Sequence, residues 1–177
     1  MKKAVQPFDY AKEILTAVSS GTLITAGAGD KANPMTIGWG TLGVEWGKPI
    51  FIAYVRESRH THRLLEENGE FTVNIPLGEY DKKITSFCGT KSGRDVNKIR
   101  ELGLTPEEPE VISVPGIREF PLTLECRVIY KQVQELSALE PSSISRYYPV
   151  RPTAEPSQDI HTAYYGQIVA SYIICED

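Results

Sequence analysis

Arg56, Ser58, Arg59 and Thr61 bring two guanidinium groups and two hydroxyls together in the stretch YVRESRHTHRLLEENG, within a chain that is acidic overall. Guanidinium forks and hydroxyl donors suit the oxygens of an anion such as phosphate. These residues straddle a strand-to-helix junction, where free backbone N–H groups and the helix dipole favour negative charge. A plainer reading has Ser58 capping the helix and both arginines in solvent, balanced by Glu66 and Glu67. On this segment alone both readings stand. Ser92-Gly93-Arg94-Asp95 repeats the theme of hydroxyl, glycine and arginine before a helix. A third stretch, NPMTIGWGTLG from Asn33 to Gly43, carries no titratable side chain. Its glycines let backbone N–H groups approach a ligand closely, as a wall for a flat and largely neutral ring requires. Trp39 within it also fits an ordinary core position. Two anion-friendly helix starts and one uncharged strand together point to a phosphorylated flat cofactor.

Other constellations carry less. Gly27-Ala28-Gly29-Asp30-Lys31-Ala32 matches a dinucleotide fingerprint after a strand, but Asn33-Pro34 breaks the helix that should follow, so a chance turn is expected. His60, His62 and His161 could form a metal triad on paper, yet residues two apart on a helix point to different sides, and no metal is expected. Cys88 precedes a flexible Gly-Thr-Lys-Ser-Gly stretch and reads as a buried structural thiol.

The elements that must position these groups are mostly strands. A helix capped by Asp9 and carrying Ala11, Ile14, Leu15 and Val18 ends at Ser19-Ser20-Gly21. Strands are expected over 22–28, 35–44, 49–55, 70–75, 122–136 and 160–174, with a hairpin turn at Trp46-Gly47-Lys48-Pro49. Short helices are expected from after Ser58 to Asn68, stopped by Gly69, over 80–87, and over 95–102, with Asp95 as cap. Residues 140–159, with Pro141, Pro149, Pro152 and Pro156, read as a long irregular loop. This pattern predicts a mainly β, α+β fold: an antiparallel barrel with short peripheral helices.

Composition sets outer bounds. The chain has 177 residues, 41% of them hydrophobic, which suits one domain spanning 1–177. A net charge of −4 argues against a nucleic-acid partner. Three widely spaced cysteines without a CxxC pair suit a reducing cytoplasm. Met1-Lys2-Lys3 opens like an export signal, but Pro7 and Asp9 interrupt it, and apolar runs such as 49–55 are too short to span a bilayer, so neither export nor membrane insertion is expected.

NPMTIGWGTLGVEWGKPIFIAYVRESRHTHRLLEENGEFTVNIP resembles the FMN-binding flavin reductase-like family, the group that includes flavoredoxin. CGTKSGRDVNKIRELGLTP and HTAYYGQIV resemble the later blocks of the same family, so the likeness covers nearly the whole chain. The resemblance implies a split β-barrel homodimer of Greek-key type that binds FMN near the subunit interface. It implies that Asn33, Met35, Thr36, Gly38 and Trp39 face the isoalloxazine. Arg56, Ser58, Arg59 and Thr61 would hold the phosphate, helped by Ser92, Gly93, Arg94 and Lys98. Tyr148 and His161 would serve as substrate contacts or lid. Asn97 and Gln167 stand where the family often carries acids. The implied function is an NAD(P)H-dependent flavin reductase in which the chemistry belongs to the flavin, with NADH or NADPH as electron source and no catalytic side chain. The rivals are a flavoredoxin-like electron carrier served by a redox partner protein, and a flavin-free anion-binding domain.

Overall fold

The computed structural model describes residues 1–175. The strands are β1 (Lys2–Ala4), β2 (Thr22–Ala26), β3 (Asn33–Ile37), β4 (Gly40–Glu45), β5 (Lys48–Arg56), β6 (Glu70–Ile75), β7 (Pro106–Glu107), β8 (Gly116–Ile117), β9 (Leu122–Val133) and β10 (His161–Ile174). The helices are α1 (Ala11–Ser20), α2 (His60–Asn68), α3 (Lys82–Thr90), α4 (Lys98–Leu102) and α5 (Pro141–Tyr147). One antiparallel sheet runs in the order β3-β2-β6-β9-β10-β5-β4, with β1 added on β10, and β7 pairs with β8 apart from it. The mainly β, α+β architecture with short helices is the expected one. Among the described residues no pairing joins the end strands β3 and β4, so the ladder is open there.

The core follows strand alternation. Phe51, Ala53 and Val55 of β5, Phe71, Val73 and Ile75 of β6, and Leu122, Leu124 and Cys126 of β9 point inward with Ile14 and Val18 of α1 and Leu64 and Leu65 of α2. A second cluster, Leu23, Ile84, Cys88, Leu104, Ile117 and Phe120, seats α3. Gly166 sits at a register shift in β10 where an added Cβ would meet Phe71 Cζ at 2.5 Å, so the bulge lets the strand bend over that ring. Among the described residues no helix is long and apolar enough to cross a membrane.

Several local expectations need correction. The predicted strand 35–44 is two strands at opposite ends of the sheet, parted at Gly38-Trp39. Gly40 lets β4 start close against β5, because a Cβ there would lie 2.7 Å from Phe51 Cζ. Asp9 lies in a 3-10 turn, Pro7–Tyr10, and α1 begins without a side-chain cap. Asn97, not Asp95, caps α4 by accepting from Arg100 N at 3.0 Å. The segment 140–159 is not wholly irregular, since α5 starts at Pro141, whose fixed φ suits a first helical position. The Gly27–Ala32 stretch is a single 3-10 turn, Gly29–Lys31, followed directly by β3. The hairpin at Trp46-Gly47 is as expected, with φ of 50° and 68° between paired Glu45 and Lys48.

Candidate functional site

The junction between β5 and α2 forms one wall of a cavity of about 120 Å³. Arg59 N bonds back to Arg56 O at 3.0 Å, turning the chain into α2 and leaving the first N–H groups of the helix without helical partners. The turn at 91–94 forms the facing wall, held by Asp95 N to Ser92 O at 3.1 Å and by Arg94, which donates to Ser58 O at 3.0 Å. Gly93 brings the walls together: a Cβ there would lie 2.1 Å from Asn33 Oδ1 and 2.8 Å from His60 Cδ2. Asn33 donates to Thr61 Oγ1 at 3.0 Å, so the Thr61 hydroxyl keeps its own hydrogen for another acceptor.

Lys98 reaches the cavity from α4 and is only 3% exposed. Its ammonium donates to Pro34 O at 3.0 Å and Cys88 O at 2.9 Å, which leaves one of three N–H donors. Burial and then Arg59 lower its pKa, against the opposing influence of Cys88. Among the residues lining the cavity are Arg59, Lys91, Arg94 and Lys98, and none is Asp or Glu. In a chain of net charge −4 that lining gives the cavity a local positive charge, which favours an anion. Desolvation, Arg63, Arg94 and Lys98 lower the pKa of His60, against Glu67, and its Nδ1 is buried without a partner.

An adjoining recess of about 180 Å³ shares Met35 and Arg59 with the cavity and is also lined by Thr36, Ile37, Gly38, Trp39, Tyr54, Arg56 and His161. Beyond it a hollow of about 390 Å³ shares Gly38, Trp39 and Tyr54 and extends past α1 to Gln134. Trp39 is 39% exposed, lies edge-on to Tyr147 with centroids 5.2 Å apart, and tilts over His161 at 4.8 Å. Tyr148 places its hydroxyl 2.7 Å from His161 Nδ1 and 2.5 Å from Gln134 Oε1.

The structure therefore gathers Asn33, Met35, Ser58, Arg59, Thr61, Ser92, Gly93, Arg94 and Lys98 around the cationic cavity. It sets Thr36, Gly38, Trp39 and Arg56 around the recess, with His161 there and Tyr148 behind it. Arg56 donates to the carbonyls of Asp159 and Tyr147, so its guanidinium clasps the segment running from α5 to β10. Ser58 does not cap α2: Arg59 holds the N-cap position, and Ser58 N and Oγ donate to the Asp159 carboxylate at 3.0 and 2.7 Å. Thr36 donates its hydroxyl to Thr85 O at 2.6 Å. Lys91 and His60 of the cavity and Tyr54 of the recess were not among the residues expected there. Lys91 adjoins Ser92, and strand alternation puts Tyr54 on the same face as Arg56, so both were within reach of the sequence.

The flavin reductase-like domain family model matches residues 17–174. The chain belongs to this family. A relative in Archaeoglobus fulgidus is 38% identical over 112 residues, covering 63% of this chain and 61% of that protein. The chain thus spans about 60% of the length of curated relatives such as this one. Flavoredoxin from Methanosarcina acetivorans is 29% identical with a TM-score of 0.61, covering 87% of this chain and 68% of that one. Flavoredoxin of Desulfovibrio vulgaris (Miyazaki F) has a TM-score of 0.65 at 24% identity, covering 87% and 69%. Family membership supports a flavin-related function for the domain, and the cationic cavity adjoins a recess walled by Met35 and Gly38-Trp39.

Proposed function

We propose that residues 1–177 form a single FMN-binding domain, a split β-barrel that works as a homodimer and passes electrons from NADH or NADPH through the flavin. The observation that carries this reading is the cavity lined by Arg59, Lys91, Arg94 and Lys98 without a carboxylate, opening onto a recess walled by Met35 and Gly38-Trp39. Bound there, the flavin would supply hydride acceptance and onward electron transfer. The chain's own residues do the rest. Arg59, Arg94 and the spare Lys98 N–H hold the phosphate, Thr61 and Ser92 donate from their hydroxyls, and β3 backs the ring. Arg56 secures the segment 141–159 and helps exclude water from the recess. No side chain is required as acid or base.

The dimer face we assign is the outward side of β5, β9 and β10, where Trp46, Tyr130 and Tyr165 cluster with centroids 4.9 to 6.2 Å apart and Trp46 is 57% exposed. A second reading, an electron carrier served by a protein partner, is favoured by the cover that Tyr147 and His161 place over Trp39.

Titration with FMN and riboflavin tests the cofactor assignment. One charge-assisted hydrogen bond contributes about 1.5–3 kcal/mol, so Arg59→Ala should weaken FMN about tenfold to a hundredfold and leave riboflavin nearly unchanged. A protein that stays colourless after incubation with FMN and desalting would refute it. Anaerobic addition of NADH or NADPH to the loaded protein separates the reductase, which bleaches, from the carrier, which does not.

A further inference from the structure

The hydrogen-bond chain behind the recess has a direction that its atoms impose. Tyr148 is 3% and His161 7% exposed, so the bond between them is shielded from water. A phenol has one hydrogen. Gln134 Oε1, 2.5 Å from the Tyr148 hydroxyl, can only accept, so the hydrogen goes there. The phenol oxygen must then accept from His161 Nδ1, 2.7 Å away, and that nitrogen carries the imidazole proton. Burial, then Arg56, drives the His161 pKa down to about 4, with Asp159 opposing and Arg59 assisting, so the ring is neutral and Nε2 holds a bare lone pair. Among the described residues Nε2 has no hydrogen-bond partner, and it is not one of the sealed unpartnered atoms, which are His60 Nδ1, Thr123 Oγ1 and the Tyr172 hydroxyl. It opens to the recess that His161 lines.

The ring cannot turn freely. Trp39 covers it at 4.8 Å, and Tyr148 is fixed by Gln158, which donates to Tyr148 O at 2.8 Å, and by the Arg56 guanidinium 5.3 Å from its ring centre. Arg56, Arg59 and Tyr54 otherwise offer the recess N–H and O–H donors. An acceptor held among donors is a selective feature.

We propose that Tyr148 and Gln134 are positioning residues that fix His161 as a hydrogen-bond acceptor, and that the recess therefore selects a reactant presenting an N–H or O–H group to Nε2. This rests on the flavin reading, because the reactant is the one that would meet bound flavin. A primary carboxamide fits both features, giving N–H to Nε2 and its carbonyl to a guanidinium; a phenol fits the first.

The tautomer is measurable without flavin. With three histidines in the chain, ¹⁵N-histidine spectra of the whole protein are assignable using His161→Gln. At neutral pH His161 should show a protonated Nδ1 and a bare Nε2, and Tyr148→Phe or Gln134→Leu should mix the tautomers. A wild-type ring protonated at Nε2 overturns the proposal. In the flavin-loaded protein, NADH should have a KM about fivefold to tenfold lower than its acetylpyridine analogue, which lacks the amide N–H. Tyr148→Phe should bring the two together with a smaller change in kcat. Phenol should likewise bind better than anisole, read by tryptophan fluorescence with or without flavin. Discrimination in one pair alone supports the proposal and identifies the source of the donor, and parity in both overturns it. If no flavin binds, the spectra and the phenol pair still decide the network, so failure of the flavin reading is told apart.

Discussion

A methyl group on Gly93 would collide with the Asn33 amide that orients Thr61. Gly93→Ala should therefore weaken FMN about tenfold or more and riboflavin less, and also lower thermal stability, because Asn33, buried and bonded to Thr61, and His60 must both give way. Paired titrations with a melting curve check this. His161 makes a second residue-scale prediction. Its folded pKa, about 4, lies below the ordinary 6.5, so the unfolded chain binds the extra proton first. The stability due to its neutral burial is whole above about pH 6.5 and falls as pH drops towards 4, by up to about 3 kcal/mol. Urea unfolding at several pH values should show this slope in wild type and a flatter one in His161→Gln. At this scale the sequence was legible in which residues meet, since Arg59, Thr61, Gly93 and Arg94 line one cavity. It was not legible for Arg56 and Ser58, because Asp159, which engages both, lies 103 and 101 residues away. Nothing local announces such a partner.

Hydrophobic pattern revealed most elements and missed one division. Residues 35–44 alternate well enough to read as one strand, yet β3 and β4 end up at opposite limits of the sheet. The signal was Gly38 and Gly40 flanking Trp39, whereas the different partners, β2 for β3 and β5 for β4, and the Phe51 ring against Gly40 are tertiary contacts that periodicity cannot show. Gly40→Ala should cost about 1–3 kcal/mol by overpacking, measured as a lowered urea midpoint with an unchanged slope. The helix α5 was hidden by its prolines, although Pro141 at its start was a cue in favour of it. Arg56 ties this segment to β5 through two carbonyls. Arg56→Ala should therefore let trypsin cut after Arg146 several-fold faster than in wild type, with FMN affinity changing less than in Arg59→Ala. Time courses on gels, beside the flavin titration, separate a clasp from a phosphate ligand.

For the whole molecule, the mainly antiparallel architecture could be read from strand spacing and turn residues, whereas the order of strands depends on long-range pairing that composition does not encode. The outward aromatic cluster offers a test of assembly. Trp46 occupies the first turn position with φ of 50°, where Asn followed by Gly is favoured. Trp46→Asn should thus preserve the hairpin and the monomer's stability while shifting a dimer towards monomer, as sedimentation at several concentrations would reveal. Finally, β10 pairs with β9, β5 and β1, and so joins the two halves of the sheet. The cationic cavity is built from residues between 33 and 98, but the strand that locks β5 beside β9 is synthesised only after all three of its partners. While the chain is being made, the residues of the cationic cavity precede the strand that completes the sheet. On the proposed flavin reading, cofactor uptake would wait until residues 161–174 have left the ribosome, and the edges of β5 and β9 that β10 covers stay unpaired until then.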